Sequence, residues 1–452
     1  MRSLVLSTRS AKLGLKESDV VEIIHSREKE HLAKKLQCIR EINVALDADL
    51  MLSVATIIED VRSRGDAALI DYTARFDGYT IQASDLRISE ETLSQIASSV
   101  ESDVLDALRE AIRRVRFFHE FERQRSWQVE LPDGVRMGQR IAAIERAGLY
   151  VPGGTASYPS SVVMNVVPAQ VAGVSRIVVA TPPRALQENP AVAAALVELG
   201  VTEVYGVGGA QAIAALAFGT ETVPRVDKIT GPGNKYVAAA KKLVFGVVGI
   251  DSIAGPTEVI VIADQSGRAS YIASDLLAQA EHSEDASAVL VTTSESLAAE
   301  VAAELTNQMQ SLPRFRMIER SLAQYGAIIV VGDLDEGCAL VNDLAPEHLE
   351  IICRDEEKIA SQVHHAGAIF FGDQTPEALG DYIAGPNHVL PTSGAARFSS
   401  ALGVYDFLKR TSLLKFSSNE LRNAAPMIAA LARAEGLEGH ARSALIRFEG
   451  EN

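Results

Sequence analysis

Apolar residues recur at three- and four-residue spacing, with charges between them, over residues 20–36, 53–63 and 104–127. That is the period of helices burying one face. The turn pair Asp133-Gly134 closes this regime, and the chain then shifts sharply toward Val, Ile, Ala and Gly. From about Arg146, short β-rich runs alternate with helical stretches. Runs 148–151, 177–180, 204–207, 226–229 and 259–263 predict strands; 160–172, 191–199, 210–217 and 234–244 predict the helices between them. A second series follows: helix 269–282, strand 288–292, helix 297–310, strand 327–331, helix 334–342, strand 349–353, helix 356–364 and strand 368–371. Strands that are apolar throughout and separated by helices belong to parallel sheets covered on both faces.

The expected fold class is therefore α/β: two Rossmann-like parallel-sheet domains meeting near Ala254-Gly255-Pro256, with helical N-terminal and C-terminal extensions. The expected division is a helical extension over 1–40, a discontinuous first α/β domain over 41–145 and 258–390, a second over 146–257, and a C-terminal segment over 391–452 that turns helical at 420–434. No internal repeat or low-complexity segment interrupts this pattern.

Length agrees with it, since 452 residues amount to two or three domains. Apolar residues at 47% and charged residues at 23% exclude a disordered chain. The longest apolar stretches, such as 212–218 and 259–263, fall far short of the ~18 residues of a membrane span. The first residues are too weakly apolar, and lack the small-residue cleavage site, for a secretory signal to be expected. With 43 basic and 59 acidic side chains the net charge is −16, and such a surface repels phosphate backbones, so nucleic-acid binding is not expected. Cys38, Cys338 and Cys353 cannot all pair within one chain and form no CxxC; they are expected as reduced thiols of a cytosolic protein. Any metal must then rely largely on nitrogen and oxygen ligands.

Four stretches offer such chemistry. Gln279 and His282, three residues apart at the end of a predicted helix, share one face and suit a metal, although alone they read equally as a polar helix end. Glu347 and His348 stand side by side before an apolar strand, with Pro346 biasing Ala345 away from helix. An acid beside an imidazole suits proton transfer, and a surface pair at a strand start is the plainer alternative. The loop Gly380-Asp381-Tyr382-Ile383-Ala384-Gly385-Pro386-Asn387-His388 gathers Asp, Asn and His between glycines, as binding loops do and as ordinary turns also do. Glu435-Gly436-Leu437-Glu438-Gly439-His440 sets another imidazole in a glycine-punctuated stretch, where it also suits a solvated loop. Two histidines, a carboxylate and an amide oxygen would make a zinc set if they converge. For a nucleotide, Gly206-x-Gly208-x-x-Gln211 lacks the third glycine of the dinucleotide fingerprint. Together with Val151-Pro152-Gly153-Gly154 and Thr230-Gly231-Pro232-Gly233-Asn234, it predicts a ligand crevice at strand C-termini without identifying the ligand.

Taken together, these segments resemble the histidinol dehydrogenase family. The resemblance is carried by GLYVPGG (148–154), YPSSVVMN (158–165), GVGGAQAIAALAFGT (206–220), KITGPGNKYVAAAK (228–241), AGPTEVIVIAD (254–264), SDLLAQAEH (274–282), PEHLEI (346–351), GDYIAGPNHVLPTSG (380–394) and EGLEGHARSALIR (435–447), in family order. It implies one zinc per subunit held by Gln279, His282, Asp381 and His440, the last supplied across an intertwined homodimer. It also implies that the four ligands, with Thr257, His348, His388 and Glu435, contact L-histidinol, and that Tyr150, Gln211 and Asn234 contact NAD+. On this resemblance the first α/β domain carries the metal and catalytic residues, the second is the nucleotide side, and 391–452 forms the dimer. The implied reaction is the four-electron oxidation of L-histidinol to L-histidine through histidinal, using two NAD+, at the end of histidine biosynthesis in the cytoplasm. His348 would take the alcohol proton and Glu347 would activate water in the second half.

One departure is Thr257 where many relatives carry serine: it keeps the hydroxyl and adds a methyl. Ala395 and Ala396 lie in a variable stretch. Three alternatives stand beside this reading: a paralogous zinc- and NAD-dependent dehydrogenase of another small polar alcohol, a zinc-hydroxide hydrolase, and a non-catalytic relative. The hydrolase is disfavoured by the absence of HExxH and by a fourth protein ligand.

Overall fold

The computed structural model describes residues 20–41, 47–153 and 158–449. Its frame is two six-stranded sheets. In the first, the order is Arg87–Ile88, Glu203–Gly206, Arg176–Thr181, Arg146–Tyr150, Lys228–Thr230 and Gly249–Ile250, parallel apart from the short antiparallel edge Arg87–Ile88. The second is parallel throughout, in the order Ile23–His25, Ala327–Val330, Ser287–Thr292, Glu258–Ala263, His348–Ile352 and Ala368–Phe371. Each sheet is buried between two apolar layers, as all-parallel sheets require. The expected α/β class and both strand series are present. The turn segment 254–256 stands just before the second sheet's central strand.

Three expectations are corrected. Residues 20–36 read as one helix, but Ile23–His25 is an edge strand on Ala327–Val330, and the helix runs Lys29–Glu41. Over so short an apolar run, periodicity does not separate strand from helix. The helix expected to reach residue 127 stops at Glu120, and Trp127–Glu130 begins a three-stranded antiparallel sheet with Arg136–Ala143 and Leu408–Lys415. The third correction concerns domain membership. Leu50, Val54, Ile57 and Val61 pack with Ile213 and Leu216 of the first sheet's layer, while Leu93, Leu108 and Val115 join its other face. The segment 48–120 therefore belongs with the strands of 146–257 rather than with 258–390: its helix stripes are covered by the sheet that follows them in sequence. Residues 20–41 belong with the second sheet.

Cys338 and Cys353 are buried and Cys38 is half-buried; all three are free thiols, as expected. No helix among the described residues is long and apolar enough to cross a membrane. The first 19 residues, where the absence of a secretory signal was expected, and Gly154 lie outside the described residues.

Candidate active site

The first sheet reverses its strand order between Arg146–Tyr150 and Lys228–Thr230, the place where open α/β sheets bind ligands beyond their strand ends. The glycine turns of the sequence meet there. A Cβ on Gly231, at φ +115°, would stand 2.1 Å from the Tyr150 carbonyl oxygen, so only glycine lets these two strand ends come together. The turn is clamped from behind. Gly231 N–H donates to Asp251 at 2.8 Å, and Lys241, ion-paired with Asp251, donates to the Gly231 carbonyl at 3.0 Å. The Tyr150 hydroxyl accepts from Gly209 N–H at 3.0 Å, at the start of helix Gly209–Phe218, and Gln211, two residues along, is buried. Asn234 is exposed and caps helix Lys235–Val244 through the N–H groups of Tyr236 and Val237. Its side-chain oxygen thus already serves the backbone.

The acid–base pair lies elsewhere, at the amino edge of the second sheet. Ala345 takes a left-handed conformation after helix Leu334–Leu344, so Glu347 comes just before strand His348–Ile352, as Pro346 suggested. Val259 is in register with His348, which sets Glu258 beside Glu347. Both members of the pair are buried. Glu347 Oε2 accepts from the Thr257 hydroxyl at 2.5 Å and from Glu258 N–H at 3.1 Å. Thr257 Oγ1 in turn accepts from Gln279 Nε2 at 2.7 Å. The amide is thereby oriented, and its Oε1 is enclosed without a donor.

Burial pushes the Glu347 carboxyl well above the usual carboxylate range, against the hydrogen bond from Thr257. It pushes the His348 imidazole the other way, down to about 4, so the ring is neutral at neutral pH. His348 Nδ1 lies 3.2 Å from the Glu258 carbonyl oxygen, and this contact leaves Nε2 with the free lone pair of a base.

Around this pair, His282, Glu377 and Asp381 present ligand atoms all within 4.8 Å of one another, with His282 Nε2 at 4.0 Å from Asp381 Oδ2. His282 follows helix Ala269–Ala280, and Glu377 and Asp381 share a face of helix Glu377–Tyr382. His388 is half-buried with its Nε2 enclosed and unpartnered. Asn387 belongs to a different network, donating to the Met164 carbonyl at 2.7 Å. Thus Thr257, Gln279, Glu347 and His348 form one connected group, and His282 and Asp381 stand together. Glu435 and His440 are exposed; His440 sits in helix Glu438–Leu445 rather than in a loop, and it is no member of the cluster within its own chain.

Sequence reasoning passed over three acids here. Glu377, four residues before Asp381, lies on the same helix face, a spacing that could have signalled it. Glu350 interrupts a strand that is otherwise apolar after His348. Glu258, beside Thr257, carries a carboxyl raised to about 7 by burial, with Ser393 N–H donating to it at 2.8 Å. Its folded value exceeds the ordinary 4.5, so the stability it contributes is complete in acid and is lost as pH rises through about 7. Glu258→Gln should therefore melt near wild type at about pH 5 and several degrees higher at about pH 8.5. Thermal melts at the two pH values check this; a gap that does not widen with pH contradicts it.

A sequence profile for histidinol dehydrogenase matches residues 43–448. The chain belongs to the histidinol dehydrogenase family. The histidinol dehydrogenase of Geobacillus kaustophilus is 51% identical over 398 residues, covering 88% of this chain and 93% of the relative. That of Synechococcus sp. is 52% identical over 396 residues, covering 87% and 91%. The crystal structure of histidinol dehydrogenase from Elizabethkingia anophelis superposes with a TM-score of 0.88 at 34% identity, covering 97% of this chain and all of that one. Family membership makes the chain an enzyme, an oxidoreductase of histidine biosynthesis. Histidinol dehydrogenases use NAD and zinc.

Proposed function

We propose that this chain oxidises L-histidinol to L-histidine through histidinal, with two NAD+, at the site built by Thr257, Gln279, His282, Glu347, His348, Asp381 and His388. The observation that carries the residue-level reading is the continuous set Gln279–Thr257–Glu347 beside His348, ending on an enclosed amide oxygen with no donor. That oxygen, the His282 imidazole and the Asp381 carboxylate are donors suited to zinc, and a cation there would satisfy an otherwise orphaned acceptor. Gln279, His282 and Asp381 would hold it, with His440 of a second copy as the fourth ligand. Bound there, zinc would supply orientation of the substrate nitrogens, and bound NAD+ would supply the hydride acceptor.

The chain's own residues handle the protons. His348 Nε2 takes the alcohol proton, its Nδ1 side fixed against the Glu258 carbonyl. Glu347 then takes a proton from the water that adds to the aldehyde carbon, its carboxyl oriented by Thr257. Burial of both groups excludes bulk water from the aldehyde stage. His388 and Glu435 contact the substrate. Tyr150, Gln211 and Asn234 line the nucleotide crevice, Tyr150 and Gln211 from its buried wall.

A shared homodimer site is supported by the position of the C-terminal arm. Helices Ser418–Ala434 and Glu438–Leu445 bury Ala429, Ala432 and Ala441 between themselves and leave Met427 and Leu431 more than 60% exposed, as is Leu414 on the preceding strand Leu408–Lys415. Such a surface is suited to a second copy. The biosynthetic role and the free cysteines support a cytoplasmic location.

Complementation tests the sharing. His282→Ala and His440→Ala chains are each expected to be inactive, whereas co-refolded in equal amounts they regain about one quarter of wild-type histidinol oxidation, since half the dimers are mixed and each mixed dimer holds one complete site. No recovery in demonstrated mixed dimers would place His440 in its own chain's site, and an active His440→Ala chain would place it outside any.

A further inference from the structure

Strand His348–Ile352 is apolar apart from His348 and Glu350, which lie two residues apart and so on one face of the sheet. Ile352, next on that face, packs with Ile272, Ala273 and Leu276 of helix Ala269–Ala280. Glu350 is 1% exposed, a position where the pattern of the strand calls for another aliphatic side chain. Its carboxyl instead makes two connections. Oε1 accepts from Glu377 N–H at 2.8 Å, one of the first-turn donors that helix Glu377–Tyr382 leaves open. Its second neighbour is the Asp275 carboxyl, one turn before Gln279 on helix Ala269–Ala280. Glu350 Oε2 is enclosed and meets no donor, so a proton shared with the Asp275 carboxyl would satisfy it.

We propose that Glu350 is a positioning residue, which locks the helix end bearing Gln279 and His282, the strand bearing His348 and the helix bearing Asp381 into one frame without touching metal or substrate. This rests on the zinc set proposed above. A hydrogen-bonded carboxyl in a sheet core is kept because it joins three elements that carry the reacting groups and that apolar packing alone would let slide.

Zinc affinity of the metal-stripped full-length protein, measured by competition with a fluorescent chelator, provides the test. Glu350→Gln keeps an acceptor for Glu377 N–H and gives an amide donor to Asp275, and it should bind zinc like wild type. Glu350→Ala loses both connections and should bind ~10–100-fold more weakly while remaining folded by circular dichroism. If Glu350→Ala does not fold, Asp275→Ala, at a half-buried position, carries the same test and should bind about tenfold more weakly. Wild-type affinity in Glu350→Ala or Asp275→Ala, or equal losses in Glu350→Gln and Glu350→Ala, would overturn the positioning role alone. A wild-type protein that takes up no zinc would overturn the zinc set and this inference with it.

Discussion

Alanine at His282 is expected to remove zinc binding and turnover together, with kcat/KM for histidinol lower by about a thousandfold or more. His282 follows the end of helix Ala269–Ala280 with its imidazole 4.0 Å from Asp381. It is half-exposed, so its loss opens no cavity in the apolar layers, and the fold should survive with its thermal midpoint little changed in metal-free protein. Metal content by elemental analysis and NADH formation, measured on the same preparation, check this. Full activity in a variant shown to be free of metal would refute the ligand role.

The second large effect separates the two halves of the reaction. Glu347→Gln keeps an acceptor for Thr257 but cannot take a proton from water. Alcohol oxidation should be nearly spared, and oxidation of supplied histidinal should fall by ~10²–10⁴-fold. His348→Ala should do the reverse, because a buried neutral imidazole with one nitrogen set against the Glu258 carbonyl is arranged as the base for the first proton. Single-turnover measurements with histidinol and with histidinal tell the halves apart. Equal damage to both by Glu347→Gln, or the opposite order for His348→Ala, would overturn the assignment.

Both parallel sheets were legible because their strands are apolar on both faces: 259–263, 288–291 and 327–330 show as unbroken runs. The antiparallel sheet escaped notice for the converse reason. Leu408–Lys415 is largely exposed, and Arg136–Ala143 is mostly only half-buried, so neither leaves a strong hydrophobic trace. Ile23–His25 was hidden inside a helical period because three residues are too few to show alternation. At the site, the Gln279/His282 spacing and the Glu347-His348 adjacency could be read locally, since one helix end and one strand entry carry them. The convergence of Thr257 with Gln279 and Glu347 could not be, because it depends on strand register and helix direction over 90 residues of separation. His440 stood out locally only as an isolated imidazole, and its place in a ligand set came only from resemblance to a family.

The hydrogen-bonded run from the Gln279 amide through the Thr257 hydroxyl to Glu347 has a further bearing on the chemistry. An amide whose oxygen is drawn toward a cation becomes a better donor through its nitrogen, and that polarisation passes along the hydroxyl to the carboxyl at the far end. On the proposed ligand set, the charge density of the ion is thus felt by the group that activates water. Exchanging the ion should alter the acidity governing aldehyde oxidation, even though Glu347 never touches it.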